Sequence, residues 1–432
     1  MAGSNSMKSQ VYQGRMPDFA VLPATAATPD LTQSGTDCVV SLATTARELE
    51  GLKEFWRRAN VHPDADADFY SLFTSLRREF IRPFVLAVTQ NGCPRALLIG
   101  RLEDGVVPLR FGYFTLFKIP VRQITFLQEG LLGDTGPEVA RALIEKVAGC
   151  LKAGIADRAS LSNVNVESHL YGQAKMGAGV LMKDYAGEVT YHWRTRLPET
   201  FDEFLNRRSK KHRYWLRRIV RVFEADHKGR VEYKVVTGEN DLKRFCGDAE
   251  AIARNTYQRG LGVGFSGTEE IRRRLQLAAQ KGWLKAYTVC ADGKPLAFWA
   301  GRLYKGVMYL EWTGYDPAFR KYELGTVLFL KMAEDLCRSG VKEIDYGAGA
   351  AFYKERFGDC VHQEALVSLN APSMKGVCIS VLKTFDAVLN RSARALAQRL
   401  KIADRVKKLW RGRLAGRRNA EMATEDCEPE RT

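Results

Sequence analysis

One segment of the chain occurs twice at a constant offset of 201 residues, and this repeat constrains the fold more than any other feature. FVLAVTQNGCPRALLIGRLEDG begins at Phe84, and KAYTVCADGKPLAFWAGRLYKG begins at Lys285. The eight ungapped identities are Val88/Val289, Gly92/Gly293, Pro94/Pro295, Ala96/Ala297, Gly100/Gly301, Arg101/Arg302, Leu102/Leu303 and Gly105/Gly306. Chance similarity between two hairpins is the simpler alternative, but eight matches without a gap favour duplication.

Each copy is predicted to be a β-hairpin. Two β-rich runs flank Asn-Gly in the first copy and Asp-Gly in the second. These dipeptides supply the positive φ that a tight turn requires. Around the second copy the pattern reads helix at 201–226, strand at 231–237, helices at 241–258 and 268–280, the hairpin, a strand, a helix ending at Gly340, and a strand through Asp345. That order predicts an α/β layered domain.

The first half repeats the order more loosely. Helices are expected near 44–60, 66–80 and 137–154, with strands near 107–114 and 123–127. At 432 residues, two domains are the natural expectation. We therefore predict a flexible arm (1–35), two α/β domains (36–195 and 196–372), a basic amphipathic helix (373–418) and an acidic tail (419–432).

Charge is concentrated in a few segments. Of the net charge of +16, residues 375–418 carry +11 (13 Lys/Arg, 2 Asp/Glu), residues 207–221 carry +8, and the tail carries −4. The remaining body is nearly neutral, which argues against a general nucleic-acid coat. Nine scattered cysteines without CxxC predict neither zinc nor disulfides, and no signal-like apolar run is seen, so a cytoplasmic location is expected.

The order of elements resembles the GNAT acyltransferase fold, in particular the CelD/BcsL-type branch related to FemAB-like transferases. The likeness rests on SKKHRYWLRRIVR, ADGKPLAFWAGRL, YLEWTGYDPAFRKYELGT and DYGAGAAFYKERFG. It implies two tandem GNAT-like domains, each with a central mixed sheet flanked by helices, the first one degenerate. It also implies transfer of an acyl group from acyl-CoA to an amine, in envelope polysaccharide or cell-wall metabolism, without a metal.

The family's phosphate-binding loop implies a donor site at the start of a helix. Here Arg320, Leu324, Gly325 and Thr326 match that position, because backbone N–H groups at a helix N-terminus bind phosphate. Glu323 replaces a glycine of the family pattern, and a carboxylate beside a phosphate is unfavourable. The loop therefore either binds CoA in a modified way or has lost that donor. The simpler alternative is a plain helix start with Glu323 complementing the helix dipole.

Five residues are candidates for the chemistry. Lys354 matches a family lysine followed closely by Phe-Gly, and the resemblance implies that it binds the acceptor or developing negative charge. Asp345, Glu311 or Asp316 could take the amine proton, and Tyr353 could return one. The simpler alternatives are a helix cap for Asp345, a solvated strand position for Glu311 and a surface charge for Lys354. The histidines are not spaced for a hydrolase triad.

Two further functions stay open. A FemAB-like transferase would draw on aminoacyl-tRNA, with the basic segment 207–221 holding RNA; a solvated first helix explains that segment equally. Apart from this reading, no nucleic-acid partner is expected. The other alternative is a non-catalytic subunit of a polysaccharide synthesis machine.

The segment 382–414 is predicted to be one long amphipathic helix. Its apolar residues recur every three or four positions, at Leu382, Phe385, Leu389, Ala393, Leu396, Leu400, Ala403, Val406, Trp410 and Leu414. Such a stripe can dock on the second domain. With this much positive charge it can also lie on an anionic membrane, here the inner face, or on an acidic protein.

Overall fold

In the computed structural model, the strands of the described residues pair into one mixed sheet. The structure describes residues 38–399 except 112–113, 177–178, 180–181, 184, 186, 257–258, 260–263 and 350. The strands are β1 (Val39–Ala43), β2 (Phe80–Gln90), β3 (Cys93–Phe111), β4 (Phe114–Gly133), β5 (Arg158–Asn165), β6 (Val189–Arg196), β7 (Val231–Val236), β8 (Leu284–Ala291), β9 (Lys294–Tyr304), β10 (Val307–Tyr315), β11 (Glu343–Ala348) and β12 (Asp359–Asn370). Their order across the sheet is β1-β2-β3-β4-β5-β12-β6-β11-β10-β9-β8-β7.

The helices pack on both faces of this sheet. They are α1 (Ala46–Ala59), α2 (Ala67–Ser75), α3 (Pro137–Lys152), α4 (His169–Met176), α5 (Phe201–Asn206), α6 (Lys210–Asp226), α7 (Leu242–Arg254), α8 (Glu269–Gln280), α9 (Leu324–Arg338), α10 (Phe352–Phe357) and α11 (Met374–Arg399). Many begin at a side-chain cap: the Thr45 hydroxyl accepts from Glu48 N–H while the Glu48 carboxylate accepts from Thr45 N–H. The predicted α/β class with two GNAT-like halves is confirmed.

The two halves exchange their last strands. β1 to β5 form one half of the sheet and β7 to β11 the other, each in the same internal order. β12 pairs with β5 of the first half, whereas β6 pairs with β11 of the second, and β6 and β12 pair with each other antiparallel. The exchange makes the sheet continuous across the position where the sequence predicts a domain boundary.

Both predicted hairpins are present with matching turns. β2 and β3 are joined at Asn91 and Gly92, which have φ values of 52° and 77°. β8 and β9 are joined at Asp292 and Gly293, with φ values of 53° and 76°. Two consecutive positive φ angles are the requirement of a type I′ turn, which fits the twist of the flanking strands. The duplicated dipeptides therefore form the same type of turn in each half.

Two local predictions need correction. The helix predicted over 201–226 is two helices, because the Ser209 hydroxyl caps α6 by accepting the N–H of His212. The strand predicted near 107–114 falls on the end of β3, which extends well beyond the predicted hairpin, and the strand predicted near 123–127 is the middle of the much longer β4. The predicted arm, the acidic tail and the second half of the basic helix lie outside the described residues.

Candidate active site

A polar cleft lies where β10 and β11 diverge. The two strands pair in parallel only over Val307–Tyr309 and Glu343–Asp345. Beyond that point β10 continues along β9 with a bulge between Leu310 and Trp312, and β11 continues along β6. The cleft has a volume of about 280 Å³ and is lined by His62, Asp64, Gln128, Arg274, Arg302, Tyr309, Leu310, Glu311, Trp312, Asp345 and Gly347. Its walls therefore come from both halves of the chain.

Arginines hold the carboxylates on one wall. Arg302 contacts both Glu311 and Asp64 through its guanidinium, and Arg274 donates to the second oxygen of Glu311 at 3.0 Å. Arg302 is buried and lies over the Phe69 ring, 4.5 Å from its centroid. Burial raises the pKa of Asp64, but the charge of Arg302 outweighs it and holds that pKa far below its usual range. Glu311 is therefore not the solvated strand residue of the simpler alternative.

Asp345 is the centre of a buried ionic network. Its Oδ1 lies 2.9 Å from His192 Nε2 and accepts the N–H of Gly347 at 2.7 Å, while Oδ2 lies 2.8 Å from Arg194 Nε. The other imidazole nitrogen, Nδ1, lies 2.8 Å from Glu364. Asp345 is 3% exposed and does not cap α10, which begins after Ala351 without a side-chain cap. The helix-cap alternative for this carboxylate is therefore wrong.

The two carboxylates set the ionisation of His192. Burial lowers the pKa of His192, but its bonds to Asp345 and Glu364 outweigh burial and raise that pKa to about 9. Burial likewise raises the pKa of Asp345, and the contacts with His192 and Arg194 hold it below its usual range. At neutral pH the Asp345 carboxylate thus faces two cations, the His192 imidazolium and the Arg194 guanidinium.

His62 and Tyr309 present neutral groups to the cleft. Burial lowers the pKa of His62, so its ring is neutral at pH 7. Its Nδ1 accepts the N–H of Asp64 at 3.1 Å, which leaves the ring proton on Nε2. The Tyr309 ring meets His62 edge to face at 4.5 Å, and burial raises the pKa of its phenol. The Nε2–H of His62 can donate a hydrogen bond to an acceptor atom in the cleft, while the Tyr309 hydroxyl donates to the carbonyl of Val61 at 3.5 Å.

Lys354 is buried beside the cleft. Its ammonium donates to the carbonyl oxygens of Gly347 at 3.2 Å and Ala348 at 2.7 Å. Gly347 and Gly349 have φ values of 70° and 92°, a conformation that glycine adopts without strain. Lys354 therefore holds the turn that follows Asp345, and the surface-charge alternative is wrong. Burial lowers its pKa, against the charges of Asp345 and Glu364.

Tyr353 and the predicted donor loop lie on the other face of the sheet. Ile344 and Tyr346, the neighbours of Asp345 along β11, pack with α9, because side chains alternate along a strand. The Tyr353 ring packs edge to face on Trp299, 5.0 Å between centroids, and Trp299 Nε1 donates to the carbonyl of Gly325. The divergence of β10 and β11 is thus bordered by the predicted donor residues on one face and by the cleft on the other.

Glu323 stands before α9 in the left-handed conformation, with φ 49°. Its carboxylate is paired with Arg356 at 3.1 Å, and Arg356 also donates to the Thr326 hydroxyl at 3.2 Å. Arg356 lies over the Trp215 ring, 4.7 Å from its centroid. A guanidinium therefore offsets the carboxylate that interrupts the family pattern. Leu324 is buried, and its side chain belongs to the core.

Asp316 and Arg320 lie away from the cleft lining. Asp316 begins the short 3₁₀ helix Pro317–Tyr322, where its Oδ1 accepts the N–H of Ala318 at 3.0 Å. Its other oxygen pairs with Lys294 at 3.2 Å. Arg320 is exposed within that 3₁₀ helix. The structure therefore brings Asp345 and Glu311 together but not Asp316.

Sequence reasoning missed the residues that surround Asp345. His192 and Arg194 lie on β6, and Glu364 and His362 lie on β12, far from Asp345 in sequence. A possible signal was the alternation of polar residues along both strands, but it does not reveal which strand pairs with which. Within the described residues, His192, His362 and Glu364 form the one group arranged so that it could ligate a metal.

Comparisons with known proteins found one matching family model and several similar solved structures. Residues 210–355 match the model of the acetyltransferase (GNAT) domain. Similar solved structures include a conserved protein of unknown function from Bacteroides thetaiotaomicron (TM-score 0.48, 11% identity, covering 77% of this chain and 100% of that one). They also include FemX (0.46, 12%, 73% and 95%) and a tandem GNAT protein from the clavulanic acid biosynthesis pathway (0.45, 13%, 77% and 99%). No curated protein sequence matches.

The matched segment runs from the start of α6 to Tyr353, Lys354 and Glu355 in α10. It contains the second copy of the repeat, the diverging strands β10 and β11, and the Glu311 and Asp345 side chains of the cleft. It ends before β12, the strand that joins the first half of the sheet. Residues 210–355 are thus the part of the chain that is similar to the GNAT acetyltransferase domain.

Proposed function

We propose that the protein is an N-acyltransferase that moves an acyl group from acyl-CoA to an amine across the divergence of β10 and β11. The observation that carries the proposal is the cleft at that divergence, with Asp345 and Glu311 on its wall. The acceptor amine approaches from the cleft, and the thioester approaches from the face of α9. Each substrate then has its own side of the sheet.

The reaction needs positioning and proton transfer rather than a covalent intermediate. The amine nitrogen forms a bond to the acyl carbon, and the carbon–sulfur bond breaks. The lowered pKa keeps Asp345 ionised, so it attracts a cationic amine, which releases one proton to water before its neutral nitrogen attacks. As the carbon–nitrogen bond forms, the nitrogen becomes far more acidic, and even this weakly basic carboxylate can accept its proton. Tyr353, on the donor face, returns a proton to the leaving thiolate.

The carbonyl oxygen gains negative charge during the attack and requires a donor or a cation. Tyr309 and neutral His62 line the cleft and carry donors. Lys354, as the resemblance implies, adds positive charge behind the Gly347 turn. On the donor side, Arg320, Gly325 and Thr326 with the Leu324 backbone are the proposed phosphate contacts, and the Glu323–Arg356 pair lessens the repulsion of the phosphates.

The acceptor class follows from the resemblance to the CelD/BcsL-type branch: an amine of an envelope polysaccharide or cell-wall precursor. A cleft with three carboxylates and two arginines suits a polar acceptor that carries both hydroxyl groups and a cationic amine. The proposed place of action is the cytoplasmic side of the envelope. No helix among the described residues is long and apolar enough to cross a membrane.

A second candidate is transfer from aminoacyl-tRNA. One observation favours it: the phosphate position before α9 is occupied by the Glu323 carboxylate, and Arg356, which would meet the phosphates, is already paired. The exposed basic residues of α6 would then hold RNA. Because α6 lies in the same domain as the cleft, both donors are compatible with the catalytic geometry proposed above.

Hydrogen exchange with acetyl-CoA and, separately, with charged tRNA distinguishes the donors. Acyl-CoA is expected to protect residues 310–360 and to leave 84–130 largely unchanged. Protection of α6 by tRNA, with no effect of acyl-CoA, supports the second candidate. Protection confined to the first half contradicts both. Mass spectrometry of co-purified small molecules identifies the acceptor.

A further inference from the structure

Helix α11 turns its apolar residues to solvent. Val381 is 61% exposed and Phe385 is 67% exposed. The exposed apolar residues of the helix are Met374, Val381, Leu382, Phe385, Val388 and Leu389. They recur at intervals of three, four and seven positions and so lie on one side. The stripe predicted from the sequence is thus real in its described part, but it is not docked on the second domain.

Polar contacts hold the other side of α11 to the first half. Asp386 accepts the N–H of Arg110 at 2.9 Å, and Asn390 Nδ2 donates to the carbonyl of the same arginine. Lys375 pairs with Asp157 at 2.7 Å. Ile379 is buried in a small cluster with residues of β3 and β4. These contacts fix the orientation of the helix, so its exposed side is a consequence of the fold.

A second exposed apolar element lies next to this helix. Arg110, which is bonded to α11, pairs with Thr115 where β3 meets β4. The next two residues, Leu116 and Phe117, are 57% and 69% exposed. The end of the β3–β4 ribbon therefore carries exposed apolar side chains close to α11, on the side where Asp386 and Asn390 contact the ribbon. We call these residues together, Val381, Leu382, Phe385, Val388, Leu389, Leu116 and Phe117, the apolar ledge.

The segment that carries the exposed stripe is strongly basic. Arg391 is exposed and lies one turn after Val388, at the edge of the stripe, whereas Lys383 is half-buried on the opposite side of α11. The sequence from 375 to 418 carries 13 Lys/Arg and 2 Asp/Glu, a net +11. An exposed apolar stripe within a strongly basic segment fits a surface that is apolar within and anionic at its edge, which describes the interface of an anionic bilayer.

We propose that the apolar ledge docks the protein on an anionic lipid bilayer. Phe385, Val388 and Phe117 enter the boundary between headgroups and acyl chains, and the lysines and arginines contact lipid phosphates. The inference is independent of the acyl donor and of the acceptor. An acidic protein would meet the same charges, and vesicle flotation distinguishes the two, because only a protein that docks on lipid floats with the vesicles.

Vesicle flotation of the full chain tests the proposal. We expect binding to vesicles that mix phosphatidylcholine with phosphatidylglycerol, little binding to phosphatidylcholine alone, and weaker binding at high salt. The variant Phe385→Asp/Val388→Asp should bind at least about tenfold more weakly, because two apolar side chains no longer leave water. Phe117→Asp, on the other element, should weaken binding in the same direction.

The matched control is Tyr214→Asp/Val235→Asp, which adds the same two charges at exposed apolar positions on α6 and β7. It should bind like the unaltered chain. All variants change exposed residues, and thermal melting checks that each is folded. Absence of vesicle binding, equal binding to both lipids, or equal loss in the control and the ledge variants would overturn the proposal.

Discussion

The two halves of the sheet carry different chemistry at one equivalent position. In the second half, Tyr309 of β10 lies between Arg302 and Asp345 in register, and Asp345 lies opposite Arg194. In the first half, Thr125 of β4 lies between Arg101 and Ser160 in register, and Ser160 lies opposite Ser368. The hairpin arginine is kept in both halves. The carboxylate and its arginine partner are replaced by two serines.

The retained arginines also differ in what they hold. Arg101 pairs with Glu103 of its own strand, at 2.5 Å, and this pair is buried. Arg302 pairs with Glu311 on the next strand and with Asp64 from the first half. The repeated arginine thus forms a local ion pair in the first half. In the second half it joins carboxylates from both halves at the cleft. The comparison indicates that duplication supplied the scaffold and that the charges around β11 distinguish the candidate active half.

The largest expected effect comes from removing the Asp345 carboxylate, which has no charged equivalent in the first half. Asp345→Asn should lower turnover at least about a hundredfold, since it removes a proton acceptor and the anion that holds His192 and Arg194. The control is Ser160→Ala at the equivalent position of the first half, which should keep nearly full activity. Rates are followed by thiol release from acyl-CoA in the presence of amines. Equal effects of the two variants would mean that the halves do not differ as proposed.

Stability at alkaline pH should depend on His192, which has no charged counterpart in the first half. Its folded pKa of about 9 lies above the unfolded value of about 6.5. The contribution is fully present below about pH 6.5 and is lost as pH rises through about 9, a few kcal/mol in all. Thermal melting from pH 6 to 10 should show this loss, and His192→Asn should flatten it.

His212→Gln is the matched control for that experiment. His212 lies on α6, half-buried, and burial together with Arg356 and Arg208 lowers its pKa. It therefore carries no extra proton between pH 7 and 10, and its replacement should leave the alkaline loss unchanged. If His192→Asn loses as much stability between pH 6 and 10 as the unaltered chain, His192 is not the group responsible for that loss.

Lys354→Ala tests whether Lys354 holds the turn that follows Asp345 in its active conformation. Turnover should fall at least about tenfold, which corresponds to roughly 1.4 kcal/mol of transition-state stabilisation. The physical reason is that the carbonyls of Gly347 and Ala348 lose their donor and the turn after Asp345 loosens. Lys342→Ala, an exposed lysine just before β11, is the control. Full activity of a folded Lys354→Ala enzyme would exclude the lysine from the mechanism.

The smallest expected effect is a loss of folding stability that is equal in the two halves. Gly92→Ala and Gly293→Ala each place a Cβ on a residue with φ near 76°, in open space. Each should lower the free energy of unfolding by about 1 kcal/mol, because only the backbone conformation is strained. Denaturant unfolding measures both, and activity at saturating substrate should not change. A much larger loss in one half would show that the two turns are not equivalent.

Much of the fold followed from local patterns in the sequence. The duplicated Asn-Gly and Asp-Gly turns predict both hairpins, and alternation and helical periodicity predict most of the surrounding elements. The boundary between α5 and α6 at Ser209 was missed because the periodicity of apolar residues continues from one helix into the next. The length of β3 was missed because Asp104 and Gly105 read locally as a turn, although β3 continues through them to Phe111.

The candidate site could be predicted only in part. Asp345 and Glu311 stand out because they interrupt apolar strands near glycines, and the resemblance singles out Lys354. Whether a carboxylate lies in a cleft, caps a turn or faces water depends on elements distant in the chain. Asp316 follows β10 and Asp345 lies within β11, yet one caps a short 3₁₀ helix and the other lines the cleft.

The sequence by itself determined the repeat, the turn conformations, the α/β class and the amphipathic stripe, because each depends on residues close together in the chain. Only the tertiary structure decided that β6 and β12 change places, that His192 lies between Asp345 and Glu364, and that the α11 stripe faces solvent. Strand exchange and helix orientation are fixed by pairing and packing over more than 150 residues. A local pattern can show that a face is apolar or a strand polar, but not what lies against it.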